Sequence, residues 1–80
     1  MPTYSGPVQD AETLGQFVAQ ARLLKGMSQR DLAAEMGVSQ RYVWDLESGE
    51  PTIWARRLFA AMRATGMTLT ATIGTDDTRG

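Results

Sequence analysis

The chain has 80 residues, a formal net charge of -1, 42% hydrophobic residues and 21% charged residues. These values are typical of one small globular domain, and they exclude a disordered chain and a strongly basic, nonspecific nucleic-acid binder. Cysteine and histidine are both absent from the sequence. This excludes disulfides, a structural zinc site and a Cys or His nucleophile, so we expect no cofactor, no metal ion and no enzymatic activity.

Neither a membrane span nor a signal peptide is predicted. The longest uninterrupted apolar run, Leu58 to Met62, is far shorter than the ~20 residues that cross a bilayer. Residues 1–12 lack the basic and apolar regions of a signal peptide. We therefore expect a soluble cytoplasmic protein with no membrane partner.

Four glycines divide the chain into segments with helical periodicity. Glycine accepts the left-handed conformation that ends a helix, and a Ser or Thr follows each of the first three glycines closely enough to cap the next helix. Thr13, with Gln16 three residues later, has the form of a capping box. The pattern predicts helices over residues 14–25, 29–36, 40–48 and 53–65, which end at Gly26, Gly37, Gly49 and Gly66.

Apolar residues recur along these segments at helical spacing and predict one core-facing side for each helix. Four of the five methionines are expected to fill gaps in the core, because thioether side chains adapt to irregular space. The predicted core residues are Leu14, Phe17, Val18, Ala21, Leu24, Met27, Leu32, Ala33, Met36, Val43, Leu46, Ala55, Leu58, Phe59, Met62 and Met67.

After residue 66 the apolar period changes to two, which predicts one half-buried strand over residues 67–73. Its apolar residues, Met67, Leu69, Ala71 and Ile73, alternate with threonines. A lone strand in a helical domain has no backbone partner, so we expect it to pair with the same strand of a second copy. An extended tail is the alternative. Residues 1–12 and 74–80, which are small, polar and acidic, are predicted to be flexible ends of a helical domain over residues 13–66.

Two of the short predicted helices are joined by only three residues, Gly37-Val38-Ser39. Such a tight link predicts a helix-turn-helix. The stretch from Ser28 to Gly49, SQRDLAAEMGVSQRYVWDLESG, resembles the helix-turn-helix of Cro/repressor-type (Xre) DNA-binding proteins. The resemblance implies an all-α fold, a compact repressor-like domain of four to five helices with one C-terminal strand that pairs across a homodimer.

The layout also resembles that of HipB-type antitoxins. The resemblance implies a homodimer that binds palindromic operator DNA, represses its own operon and neutralises a HipA-like kinase toxin encoded beside it, with nucleoid association when DNA is bound. A stand-alone repressor and an interaction module that binds no DNA are the alternatives. The supporting segments are the Gly-x-Pro-Thr link at Gly49, Pro51 and Thr52, the run Arg56-Arg57-Leu58-Phe59 and the ending Thr65-Gly66-Met67-Thr68-Leu69.

Gln40 and Arg41, at the start of the predicted recognition helix, are candidates for reading bases, because glutamine can pair with adenine and arginine with guanine. The resemblance places Ser39, Trp44 and Asp45 at the other groove-facing positions. Three alternatives stay open: a helix cap for Ser39, packing against another protein for Trp44, and a salt bridge to Arg41 for Asp45.

Gln29 and Arg30 at the start of the second helix, together with Tyr42, are candidates for contacts with the DNA backbone. The resemblance also implies a partly buried ion pair between Arg22 of the first helix and Glu47 of the recognition helix. Over residues 13–73, seven basic side chains face five acidic ones, which gives the predicted folded part a net charge of +2. This charge is enough for specific DNA binding with a modest salt dependence. No role is assigned to Arg56, Arg57 and Arg63. Arg56 and Arg63 lie seven residues apart on one helical face, for which DNA, the partner strand, the toxin and solvent are the alternatives.

Overall fold

The computed structural model describes residues 3–74 of the chain. Two short strands flank four helices, and the helices over residues 29–36, 40–48 and 53–65 have the bounds that the sequence predicts. The flexible tail predicted for residues 74–80 lies outside the described residues, except for Gly74. The elements are β1 (Thr3–Pro7), α1 (Ala11–Leu24), α2 (Gln29–Met36), α3 (Gln40–Ser48), α4 (Ile53–Thr65) and β2 (Thr70–Gly74).

The last three helices begin at hydroxyl caps and end at glycines. The Ser28 hydroxyl accepts a hydrogen bond from the backbone N–H of Asp31 (3.0 Å), while the Asp31 carboxylate accepts one from the N–H of Ser28 (2.9 Å). This reciprocal pair is a capping box at the start of α2. Ser39 and Thr52 cap α3 and α4 in the simpler one-bond form. The prediction that these helices end at glycines and begin after a Ser or Thr cap is therefore confirmed.

Helix α1 begins at Ala11, earlier than the sequence predicts. Its cap is Asp10, whose carboxylate accepts hydrogen bonds from the backbone N–H of Thr13 (2.8 Å) and from the Thr13 hydroxyl (2.6 Å). The predicted capping box of Thr13 and Gln16 is wrong, because the carboxylate is the stronger acceptor and the threonine is its donor.

The sheet is formed within the chain. Strand β1 pairs antiparallel with β2, from Thr3 opposite Gly74 to Pro7 opposite Thr70. The pairing extends one step further, where the N–H of Val8 donates to the carbonyl of Leu69 (2.9 Å). Two predictions are therefore wrong: residues 3–12 are not a flexible segment, and the C-terminal strand does not lack a partner within its own chain. The fold is mostly helical, as predicted, with two strands where one was expected. The partner of the C-terminal strand lies in this same chain.

Strand β2 is also shorter at its start than the predicted strand. Met67 and Leu69 precede it and are exposed, whereas Ala71 and Ile73 are half-buried on one face. The reason is the end of α4, where the N–H of Met67 donates to the carbonyl of Met62 (3.0 Å) and closes the last helical turn. Residues 67–69 therefore lead from the helix into the strand.

The core lies between the sheet and helix α4. Val8, Phe59 and Met62 form its buried centre, and Ala11, Phe17, Ala55, Leu58 and Ala71 pack around it. Val8 was not predicted as a core residue, because it lies in the segment expected to be flexible. Four predicted core residues are exposed because they lie at the ends of helices or in the link to β2: Leu14, Leu24, Met36 and Met67.

Helix α1 crosses the end of α3 at Gly15, which is buried. A Cβ atom at this position would lie 2.5 Å from the carbonyl oxygen of Leu46 and 2.7 Å from that of Glu47. Gly49 makes a similar approach from the other side, since a Cβ there would collide with the backbone of Glu12. Glycine at both positions lets α1 hold the C-terminal end of α3 at backbone contact distance.

Gly15→Ala should lower the free energy of unfolding by about 1 to 3 kcal/mol, because the added methyl group must displace the α3 backbone. At an exposed position inside a helix, a Gly→Ala substitution would instead raise the free energy of unfolding by about 1 kcal/mol. Urea titration measures the difference. Gly74→Ala is the control, because Gly74 has neither a positive φ nor any atom within 4 Å of its Cβ position, so it should leave the free energy of unfolding nearly unchanged. A Gly15→Ala protein as stable as the wild type would contradict the close approach.

Candidate nucleic-acid interface

Helix α3 is anchored by Val43, whose side chain is completely buried. Burial of this residue fixes which face of the helix points outward. Gln40 and Arg41 lie exposed in the first turn, and Trp44 is half-exposed one turn further on. Together with Gln29 of α2, these three side chains line an open groove of about 340 Å³. The structure thus brings three of the five predicted base-reading residues together with Gln29 on one surface, called the reading surface below.

Arg41 contacts both of the residues one turn beyond it. Its Nε atom lies 3.2 Å from the Asp45 carboxylate, and both side chains are exposed. Its guanidinium carbon lies over the ring of Trp44, 5.1 Å from the ring centre. Of the alternatives left open for Asp45, the structure thus contains the salt bridge.

Ser39 caps α3 while remaining exposed. Its hydroxyl oxygen accepts a hydrogen bond from the backbone N–H of Tyr42 (3.1 Å), as expected for the capping alternative. The hydroxyl hydrogen remains available as a donor, because a serine hydroxyl can donate one hydrogen bond while it accepts another. Tyr42 is exposed beside it, and Arg30 is exposed on α2.

Arg22 and Glu47 form the predicted ion pair. Two guanidinium nitrogens of Arg22 reach the two carboxylate oxygens of Glu47, Nε at 2.6 Å and Nη2 at 3.1 Å. The third nitrogen, Nη1, donates to the backbone carbonyl of Met27 (2.8 Å). The side chains retain only 12% and 8% of their full exposure. The pair therefore ties α1, the link to α2 and the end of α3 together.

Gln29 has a role that the sequence did not indicate. Its side-chain nitrogen donates to a carboxylate oxygen of Glu47 (3.0 Å), so its amide is turned toward the ion pair. One N–H of this amide is used in that bond, and the second N–H remains available as a donor to a phosphate. No sequence pattern links residues 29 and 47, because the contact arises only when α2 packs across α3.

The ion pair shifts the pKa of both partners in the direction that favours their charged forms. The hydrogen bonds from Arg22 lower the pKa of Glu47, with a smaller contribution from Gln29, although burial acts in the opposite direction. The same hydrogen bond raises the pKa of Arg22. The Thr13 hydrogen bonds lower the pKa of Asp10, and the Ser28 backbone lowers that of Asp31. Each of these carboxylates is more stable as the anion in the folded protein than in the unfolded chain.

Stability should therefore fall in acid. When the pKa of a carboxylate is lower in the folded protein than in the unfolded chain, the unfolded chain binds more protons than the folded protein at pH values between the two. The free energy of unfolding therefore rises with pH over this range. Its contribution is present above the unfolded pKa, about 4, and is lost as pH falls through the folded value. Urea titrations between pH 7 and pH 3 measure this. Glu47→Gln, which removes one of the titrating groups, should show a shallower dependence, whereas an unchanged slope would contradict the assignment.

The helix-turn-helix segment, residues 28–50, is not basic, because it carries two arginines against five acids, a net charge of -3. Two of these acids are paired with arginines, Asp45 with Arg41 and Glu47 with Arg22. Helix α4 carries three exposed arginines and no acid: Arg56, Arg57 and Arg63. Bulk attraction to phosphate is therefore weak at α3, where specific contacts must contribute more.

Other kinds of site find little support among the described residues. Within residues 3–74, no group of three acidic side chains is arranged to hold a metal ion. No described helix is long and apolar enough to cross a membrane.

The chain matches a known protein family. A family model described as helix-turn-helix matches residues 18–71. The match covers the second half of α1, all of α2, α3 and α4, and the first two residues of β2. No curated protein and no solved structure matches the chain.

Proposed function

Because this chain belongs to the Cro/C1-type helix-turn-helix family, it is a DNA-binding transcriptional regulator, and we propose that it acts as a sequence-specific repressor. The observation that carries this proposal is the exposed first turn of α3, where Gln40 and Arg41 stand on a helix fixed by buried Val43. Recognition helices of this motif present their N-terminal residues to the major groove.

Gln40 and Arg41 are proposed to read bases. A glutamine amide pairs with the N6 and N7 atoms of adenine, and an arginine guanidinium with the O6 and N7 atoms of guanine. Arg30 and Tyr42, both exposed beside this turn, are proposed to contact the DNA backbone. Glu50, where proteins of the resembled type more often have lysine, removes one expected phosphate contact from the link before α4.

Gln40→Ala or Arg41→Ala should cost about 1 to 3 kcal/mol of operator binding and relax the base preference at one position in each half-site. Arg30→Ala is the control, because loss of a phosphate contact weakens binding equally for all sequences and reduces its salt dependence. Fluorescence titrations of operator duplexes with single base changes measure both effects. A uniform loss in the Gln40 and Arg41 variants would mean that they contact phosphate instead.

Homodimerisation through β2 is the second part of the proposal. Hydrogen-bonded and non-hydrogen-bonded pairs alternate along an antiparallel ladder. Since Val8 is bonded to Leu69, the backbone groups of Thr70 and Thr72 point away from β1. The outer edge of β2 therefore offers unpaired donors and acceptors, and an identical strand around a two-fold axis can satisfy them.

The outer edge of β1 is less suitable for pairing. By the same alternation, the backbone groups of Ser5 and Pro7 point to that edge, and proline has no N–H to donate. An expected dimer thus has the strand order β1-β2-β2-β1. Its two-fold symmetry would require a palindromic operator with half-sites about 34 Å apart, one helical turn of DNA.

We also propose that the protein is the antitoxin of a HipA-like kinase, with a stand-alone repressor as the alternative. The support is the resemblance of the Gly49 to Thr52 link and the terminal strand to HipB-type antitoxins. Ile53 and Trp54 add to it, because they remain 63% and 73% exposed at the start of α4, outside the reading surface. Exposed apolar patches of this kind commonly mark contacts between proteins.

Co-expression with the product of the adjacent reading frame tests the antitoxin role. The wild-type protein should restore the growth of cells that the proposed kinase toxin inhibits. The Trp54→Ser protein should fail to restore growth while still binding its operator. Leu23→Ser, at an exposed position of α1, is the control and should still restore growth. An adjacent frame without a kinase, or a kinase that the wild type does not neutralise, would favour the stand-alone repressor.

A further inference from the structure

Arg41 is held on two sides by residues of its own helix. Asp45 accepts a hydrogen bond from its Nε atom at 3.2 Å, and the Trp44 ring lies under its guanidinium carbon at 5.1 Å. The geometry points to Trp44 and Asp45 as positioning residues that orient Arg41 toward a single guanine, instead of reading bases themselves. This inference rests on the proposed function, and it assigns the base specificity of that same site.

The hydrogen bond to Asp45 selects which edge of the guanidinium remains available. An arginine side chain has five N–H donors arranged as a rigid fork. Asp45 uses the donor on Nε, so the edge formed by the two terminal nitrogens stays free. Guanine presents its O6 and N7 acceptors side by side in the major groove and accepts two parallel hydrogen bonds from such an edge. The orientation of Arg41 in the structure therefore suits two parallel hydrogen bonds from its terminal nitrogens to one guanine.

Trp44 fixes the plane of the same group. A guanidinium stacks on an aromatic ring and is only weakly hydrated, so it can rest there at little cost in solvation. A long arginine side chain on a helix surface would otherwise be free to swing toward the nearest phosphate. Contact with the ring restricts Arg41 to the groove lined by Gln29, Gln40 and Trp44.

The charge on Asp45 gives a second reason for this assignment. An unpaired carboxylate on the reading surface would be repelled by DNA phosphates, whereas one paired with Arg41 presents little net charge. When DNA excludes water from the groove, the attraction between the two groups becomes stronger. The alternative role for Asp45 is to accept a hydrogen bond from a cytosine amino group. That role would require the carboxylate to leave Arg41.

The two roles predict different sequence preferences. Selection from a library of random DNA duplexes, performed with the full chain and its variants, gives the preference at every position. Arg41→Ala should abolish the preference for guanine at one position of the half-site. Asp45→Asn should weaken the preference at that same position by about three- to tenfold. The double variant should be no less selective than Arg41→Ala alone, because Asp45 acts through Arg41.

Conservative variants separate positioning from a loss of folding or of charge. Trp44→Phe keeps a ring face and should keep the guanine preference, whereas Trp44→Leu should weaken it to the same extent as Asp45→Asn. Glu35→Gln, which removes an exposed acid of α2, is the charge-matched control and should leave the preference unchanged. Circular dichroism of each variant establishes that it is folded.

Relaxation at a different position in Asp45→Asn would overturn the inference and make Asp45 a base reader. An unchanged preference in both Asp45→Asn and Trp44→Leu would also overturn it. These outcomes are distinct from failure of the proposed function, in which the wild-type protein itself selects no preferred sequence.

Discussion

Replacing Glu47 with alanine should lower the free energy of unfolding by about 3 kcal/mol, because it leaves Arg22 charged and largely buried without its partner. Arg22 would keep only the hydrogen bond to the Met27 carbonyl, and Gln29 would lose its acceptor. In a domain of this size, such a loss lowers the melting temperature by about 15 °C. The variant should also bind operator DNA more weakly, since the ion pair helps to hold the end of α3 in place.

The chain provides a matched control for this measurement. Asp45 forms the other ion pair, with Arg41, but both of those side chains are exposed. Asp45→Ala should therefore change the free energy of unfolding by about 0.5 kcal/mol or less, as is typical of surface pairs within one helix. Urea titration of both variants at pH 7 gives the comparison. Equal effects of the two substitutions would show that burial does not strengthen the pair between Arg22 and Glu47.

If the proposed dimer forms through β2, Thr72→Pro should convert it into a monomer and reduce operator affinity by at least about 100-fold, because the second half-site is no longer tethered to the first. The N–H of Thr72 points to the outer edge of β2, so its removal spares the hydrogen bonds to β1. Sedimentation equilibrium measures the oligomeric state, and circular dichroism shows whether the helices are retained. Truncation after Gly66 would be less informative, since Ala71 packs against the core and Leu69 accepts a hydrogen bond from Val8.

Ser5→Pro is the control for the strand prediction. It places the same residue at the outer edge of β1, where the backbone is not expected to meet a second copy. The protein should therefore remain dimeric. A Thr72→Pro protein that sediments as a dimer would move the interface away from β2. A Ser5→Pro protein that becomes monomeric would place it on β1.

Most of the helical architecture follows from local sequence signals. Glycine at the end of a helix and Ser or Thr at the start of the next act over a few residues, so the bounds of α2, α3 and α4 are readable without knowledge of the fold. The start of α1 was missed because two possible caps, Asp10 and Thr13, lie three residues apart. The carboxylate of Asp10 becomes the cap, and the hydroxyl of Thr13 becomes its donor.

Strand β1 was missed for a nonlocal reason. Its residues include Ser5, Gly6 and Pro7, which disfavour strands, and nothing in residues 3–7 alternates clearly between apolar and polar. The strand forms because β2 provides its hydrogen-bonding partner some 60 residues later in the chain. Val8 is buried for the same reason, since pairing of the strands holds it against Phe59 and Met62.

The candidate site was predictable in part. Spacing of four residues on one helix suggested the pair of Arg41 with Asp45, and family resemblance suggested that of Arg22 with Glu47. Other contacts between separate elements gave no such signal. The hydrogen bond from Gln29 to Glu47 and the close approach of Gly15 to α3 depend on how the helices cross, which periodicity within one helix does not specify.

We propose that this protein binds a specific DNA sequence as a two-fold dimer through the start of α3. Footprinting on the DNA that precedes its own coding sequence tests it most directly. We expect protection of a palindrome whose half-sites lie one helical turn apart, at protein concentrations that leave unrelated DNA unprotected, and its loss in the Arg41→Ala variant. Equal protection of the upstream region and of unrelated DNA, or the same footprint with Arg41→Ala, would contradict the claim.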